Sequence, residues 1–174
     1  MSSPNIQPQS FPPGILQALQ ALASQKATDG RTFQEMTLDL TKPHESEDGV
    51  LTNKYDLLCP RGCRSVILKS GVGKWVERSG ATAEMNTPGL DPILAPLPAA
   101  PATVQWWLVT PSPLAFENIG FSLPVVSAED SSAPLKLLKF LICADCDIGP
   151  LGWCEEGSGE FWLACSRVKY ASSH

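Results

Sequence analysis

The chain reads as a mainly β protein of antiparallel strands, closed at one edge by a metal. Three observations lead there. Short apolar or alternating runs are separated by turns rich in Gly and Pro. Strand-like runs outnumber the one helical run and are short enough for hairpins and loops to join them. Two cysteine pairs, Cys59 with Cys63 and Cys143 with Cys146, stand on separate loops, and such pairs let thiolates converge on one ion.

Residues 1–50 are expected to be an N-terminal extension. Residues 1–10 carry no pattern. Phe11 to Gln25 predicts a short helix, with Pro12 and Pro13 at its start and Ile15, Leu16, Leu19 and Leu22 at helical spacing. With Lys26 as its nearest base, that helix is a poor membrane binder. Ala27 to Asn53 is polar and turn-rich and reads as a tether; His44 within it reads as solvated.

The folded part, 51–174, opens with Tyr55 to Leu58 leading into the turn Cys59-Pro60-Arg61-Gly62-Cys63. Arg64 to Lys69 predicts a strand, Gly71 and Gly73 a turn, and Lys74 to Arg78 a return strand. Residues 79–102, rich in Pro, Ala and Thr, read as a flexible insertion. Thr103 to Val109 predicts a strand with Trp106 and Trp107 on opposite faces. Pro111 and Pro113 break it, and Leu114 to Phe121 follows. Ser122 to Pro134 reads as a loop. Leu135 to Ile142 is nearly continuous in apolar residues and predicts a central strand. Glu160 to Val168 predicts a last strand, with Phe161, Leu163 and Cys165 on one face and Trp162 and Ala164 on the other.

The chemistry concentrates at Cys143-Ala144-Asp145-Cys146-Asp147, after which Gly149, Pro150 and Gly152 turn the chain away. Together with Cys59 and Cys63 this can make a four-thiolate zinc site of structural type; the same ligands could serve an iron–sulfur centre, but a small two-knuckle module favours zinc. Four thiolates on one Zn²⁺ already leave a net negative site, so Asp145 is not there for the metal. It reads as a carboxylate held outward for a partner's cation, and Asp147 as a solvated loop residue. Cys165 reads as a buried thiol and Cys154 as a packing residue beside the knuckle, with contact to the metal as the lesser alternative.

The chain has 174 residues, 43% of them hydrophobic, and a formal net charge of -5. That balance suits one core and argues against a nucleic-acid-binding zinc ribbon, which needs a basic face. Residues 1–10 have no basic and apolar secretory pattern, and no apolar run is long enough for a transmembrane helix. The expectation is a cytosolic monomer whose paired cysteines bind metal rather than each other.

Two segments together carry a resemblance: Phe116-Glu117-Asn118-Ile119-Gly120-Phe121, and Lys139 to Trp153 with its Cys-Ala-Asp-Cys-Asp-Ile-Gly-Pro-Leu-Gly-Trp string. They are similar to the Rab-interacting-factor family, the MSS-four and DSS-four type guanine-nucleotide exchange factors for Rab GTPases. The resemblance runs from about Leu58 to Val168. It implies a β-tent of packed antiparallel sheets and one structural Zn²⁺ on Cys59, Cys63, Cys143 and Cys146. The first pair here has three intervening residues where the family often has two, and Gly62 can absorb the extra one.

The resemblance further implies a protein that binds Rab-type GTPases, prefers them free of nucleotide, and keeps the empty form folded during vesicle transport, without covalent chemistry. The implied partner surface is Asp145 with Phe116, Glu117 and Asn118. Ile119, Phe121 and Trp153 are further apolar candidates, although Phe121 and Trp153 read better as core. Phe116 and Glu117 follow a proline-broken turn and are expected at the surface. Two alternatives stand beside this reading: an enzyme like methionine sulfoxide reductase B, which would need a reactive thiol in Cys154 or Cys165, and a zinc-stabilised scaffold without exchange activity.

Overall fold

A computed structural model describes residues 30–36, 39–79, 83–86, 88–99, 101–127 and 136–172. The helix expected over Phe11 to Gln25 lies outside them. Regular structure among the described residues consists of strands and short 3₁₀ turns. The strands are β1 (Gly30–Thr32), β2 (Thr41–Pro43), β3 (Leu51–Asn53), β4 (Leu57–Leu58), β5 (Val66–Leu68), β6 (Lys74–Ser79) and β7 (Thr103–Val109). They continue with β8 (Ile119–Phe121), β9 (Val125–Val126), β10 (Leu137–Cys143), β11 (Gly152–Glu155), β12 (Phe161–Ala164) and β13 (Lys169–Ala171).

Two sheets result. The smaller has the order β1-β13-β4-β5; the larger runs β2-β3-β6-β7-β12-β11-β10-β8, with β9 also on β10. The pairings between these strands are antiparallel, as the sequence predicts.

The larger sheet is apolar on both faces, and strand periodicity explains how. In β7, Trp107 and Val109 enter one core while Val104 and Trp106 enter a second. In β12, Phe161 and Leu163 enter the first, and Trp162 and Ala164 the second. The first core includes Leu57, Ile67, Leu68 and Tyr170 of the smaller sheet, so it joins the two sheets. A polar link reinforces it: the Trp107 indole donates to the Tyr170 hydroxyl at 3.2 Å, and that hydroxyl donates to the Cys165 carbonyl at 2.8 Å. In the second core Trp153 lies nearly parallel to Trp162, with ring centroids 6.2 Å apart.

Several sequence expectations need correction. The segment 27–53, read as a tether, contributes β1, β2 and β3 to the sheets within its described part. Strands of three mostly polar residues carry no readable period; backbone partners on β13 and β6 supply the order. The insertion 79–102 does not read as free chain where it is described. Met85, Leu94 and Leu97 are buried, and the Arg167 guanidinium donates to the Met85 and Ala95 carbonyls at 2.9 and 3.1 Å.

The strand expected over Glu160 to Val168 ends at Ala164. A 3₁₀ turn, Cys165–Arg167, then carries the chain into the other sheet as β13.

Candidate functional site

Each cysteine pair is held by a backbone turn. In the first, the Cys59 amide donates to the Ser65 carbonyl at 2.9 Å and the Gly62 amide to the Cys59 carbonyl at 3.3 Å. Gly62 lies at φ +85°, a conformation that costs glycine little. In the second, the Cys143 amide donates to the Ile148 carbonyl at 3.0 Å and the Asp147 amide to the Cys143 carbonyl at 2.9 Å. Cys143 is the last residue of β10, so a sheet strand aims this loop.

The two turns face each other. The four sulfurs lie within 4.8 Å of one another. Cys59 Sγ is 3.5 Å from Cys146 Sγ, and Cys63 Sγ is 3.6 Å from Cys143 Sγ. Tetrahedral thiolates about 2.3 Å from a central ion stand about 3.8 Å apart, so this donor set fits a single metal site. Burial is the main influence on the Cys59 and Cys146 thiols and pushes both up. Burial also pushes Cys63 up, but hydrogen bonding with the Ser65 side chain and backbone and with neighbouring cysteines outweighs it and brings the thiol down to about 7. Cys154 and Cys165 lie outside the cluster, and burial pushes both thiols up. That is the opposite of what a nucleophilic thiolate requires.

The other predicted residues fall around this centre unequally. Asp145 and Glu117 are exposed. Phe116, expected at the surface, is instead 8% exposed and meets Phe161 edge-on at 6.1 Å. The preceding 3₁₀ turn Pro113–Ala115 rolls the ring inward and leaves Leu114 outside, at 90% exposure. Asn118 is half-buried and bridges two elements. Its side-chain amide donates to the Val66 carbonyl at 2.9 Å, and its backbone carbonyl accepts from the Ala144 amide at 3.3 Å. Ile119 packs against the first core opposite Cys143. Phe121, read as core, is 36% exposed, and Trp153 is half-buried.

Two residues beside the four cysteines escaped the sequence reading. Arg61 donates from Nη1 to the Cys146 carbonyl at 3.2 Å and forms an ion pair with Asp91, which links the first knuckle to the second and to the 83–97 segment. Ser65 donates its hydroxyl to the Asp145 carboxylate. Nothing in the sequence marks either beyond proximity to a ligand, because their partners are distant along the chain.

Fold and site define a class: a two-sheet antiparallel protein whose metal knuckles are built on its own strand ends. Within that class the chain belongs to the family described as Mss4 protein, whose model matches residues 52–170. It is 31% identical over 116 residues to a protein of Drosophila melanogaster named guanine nucleotide exchange factor MSS4 homolog, covering 67% of this chain and 84% of that one. It is 37% identical over 57 residues to a Schizosaccharomyces pombe protein of the same name, covering 33% of this chain and 48% of that one.

Proposed function

We propose that this protein is a guanine-nucleotide exchange factor that binds Rab-type small GTPases, prefers the nucleotide-free form, and holds that form until nucleotide returns. Zn²⁺ is the metal we assign to the four cysteines, in a structural role. The observation that carries the reading is an exposed acid, Asp145, standing between two metal ligands in a chain whose relatives are named exchange factors.

The physics sets the scale. An exchange factor shifts occupancy only by as much as it prefers the emptied state. A nucleotide held at nanomolar strength corresponds to about 12 kcal/mol. One carboxylate about 4 Å from an ammonium contributes on the order of 4 kcal/mol before desolvation. Apolar contact must supply the rest. A strip of exposed apolar side chains is available along the edge that starts at the metal. Opposite β10, the edge runs from Ile119 beside Cys143, through Phe121 beside Leu141, to Val126 beside Leu137. Phe121, Val125, Val126 and Leu137 are exposed along it, and Leu123 is 85% exposed. Six residues of strand span about 20 Å, so one interface of standard size can cover both the acid and the strip.

In this reading Glu117 joins Asp145 at the surface, while Phe116, Asn118 and Ile119 support it from beneath. No helix among the described residues is long and apolar enough to cross a membrane; any contact with vesicle or Golgi membranes would run through the GTPase. The test is release of a fluorescent GDP from a panel of purified Rabs, with capture of nucleotide-depleted against loaded forms. Accelerated release and selective capture of the emptied form are expected. Equal capture of both forms, or none, would overturn the reading.

A further inference from the structure

We propose that Ser65 is a positioning residue that latches Asp145 across the two cysteine knuckles and fixes its orientation before a partner binds. The inference rests on the reading of Asp145 as the partner-facing acid. Ser65 belongs to the first knuckle and Asp145 to the second, 80 residues on. Their side chains meet across the site: the Ser65 hydroxyl donates to the Asp145 carboxylate. The same hydroxyl lies 3.2 Å from Cys63 Sγ. Ser65 itself is 6% exposed, and its carbonyl accepts the Cys59 amide at 2.9 Å, so it cannot follow a wandering carboxylate outward.

Electrostatics explains why the acid needs a latch. Four thiolates on a divalent cation carry about two net negative charges, which repel a neighbouring carboxylate. A loop side chain with no partner would sample several rotamers and lose that entropy on binding. The Ser65 hydroxyl offsets the repulsion with a donor and fixes one orientation beforehand.

A hydroxyl has one proton, and here two acceptors stand in reach, the carboxylate and the Cys63 sulfur. A carboxylate has two oxygens, so Ser65 can hold Oδ2 while the other oxygen accepts from a partner's ammonium.

The test uses the full-length, metal-loaded protein and the variants Ser65→Ala and Ser65→Thr. Metal content, melting temperature, the Asp145 χ1 rotamer from three-bond NMR couplings, and affinity for a nucleotide-depleted Rab are measured on each. Ser65→Ala is expected to retain its metal, let Asp145 average over rotamers, and bind about tenfold more weakly. Ser65→Thr, which keeps the hydroxyl, restores both properties. In an Asp145→Ala background Ser65→Ala changes affinity no further, since the two side chains act as one unit. A single Asp145 rotamer in Ser65→Ala, an affinity loss that follows metal loss, or full additivity with Asp145→Ala each overturns the latch. If the wild-type protein captures no emptied GTPase, the functional reading falls and takes the latch's binding role with it. The rotamer pattern, read without any partner, tells that failure apart from failure of the latch itself.

Discussion

Arg167 donates from Nη1 to the Pro150 carbonyl at 2.7 Å, and this contact fastens the chain just beyond the second metal knuckle to the turn that connects the two sheets. Arg167 is fully buried. Its other acceptors are the Met85 and Ala95 carbonyls and Asn86 Oδ1, all neutral and all in the segment that crosses the second core. Burial pulls its guanidinium down to about 10, which leaves it charged at neutral pH. Arg167→Met keeps the stem but abandons these acceptors. It is expected to cost about 3 kcal/mol in denaturant unfolding and to open the 83–97 segment to protease. An unchanged cleavage pattern would mean that the apolar contacts of Met85 and Leu97 hold this segment without it.

Gly152 is fixed by backbone proximity. A Cβ there would lie 2.1 Å from the Trp162 carbonyl oxygen and 2.9 Å from Leu163 Cα. Neither is a side chain that could rotate away. Gly152→Ala therefore forces β11 off β12, and the expected loss is at least about 3 kcal/mol, measured as a fall in melting temperature.

Phe116 and Glu117 are adjacent but differ in what they support. Phe116→Ala empties a core position against Phe161 and is expected to cost about 3–5 kcal/mol of stability. Glu117→Ala is expected to change stability by less than about 0.5 kcal/mol, because its side chain is exposed. If the partner surface is as proposed, Glu117→Ala weakens capture of emptied GTPase while Phe116→Ala lowers the melting temperature first. Calorimetry alongside the capture assay separates the two.

Asp145→Ala is expected to retain the metal, since its carboxylate is not one of the four clustered donors, and to weaken GTPase capture by at least about tenfold. Metal analysis on the same preparation checks the first half. Equal loss of metal and binding would make Asp145 structural.

Removal of the metal should act most strongly on the knuckles. Chelation leaves the four sulfurs with no ion to hold them together, and hydrogen exchange is expected to rise at the amides of Cys59, Gly62, Cys143 and Asp147, whose bonds close the two turns. Protons compete with the ion for the thiolates, so release is expected to become easier as pH falls. Amides of Trp106 and Trp107, deep in the larger sheet, should stay protected longer.

Much of this was legible in the residue order. The alternation of Phe161, Trp162, Leu163 and Ala164 announced a strand with two apolar faces, and Trp106 beside Trp107 announced the same for its neighbour. Both hold because side-chain direction along a strand is a local property with period two. The two cysteine pairs announced a common centre because paired thiolates in tight turns converge readily on one ion.

Other features were decided only when distant segments met. The three-residue strands from Gly30 to Asn53 take their order from β13 and β6, a backbone pairing that leaves no mark on composition. Phe116 turned inward because Phe161 and the bridge to Leu68 were waiting for it. The bond between Ser65 and Asp145 exists because folding brings two knuckles face to face, and a hydrogen bond depends on distance in space, which the chain's order does not record.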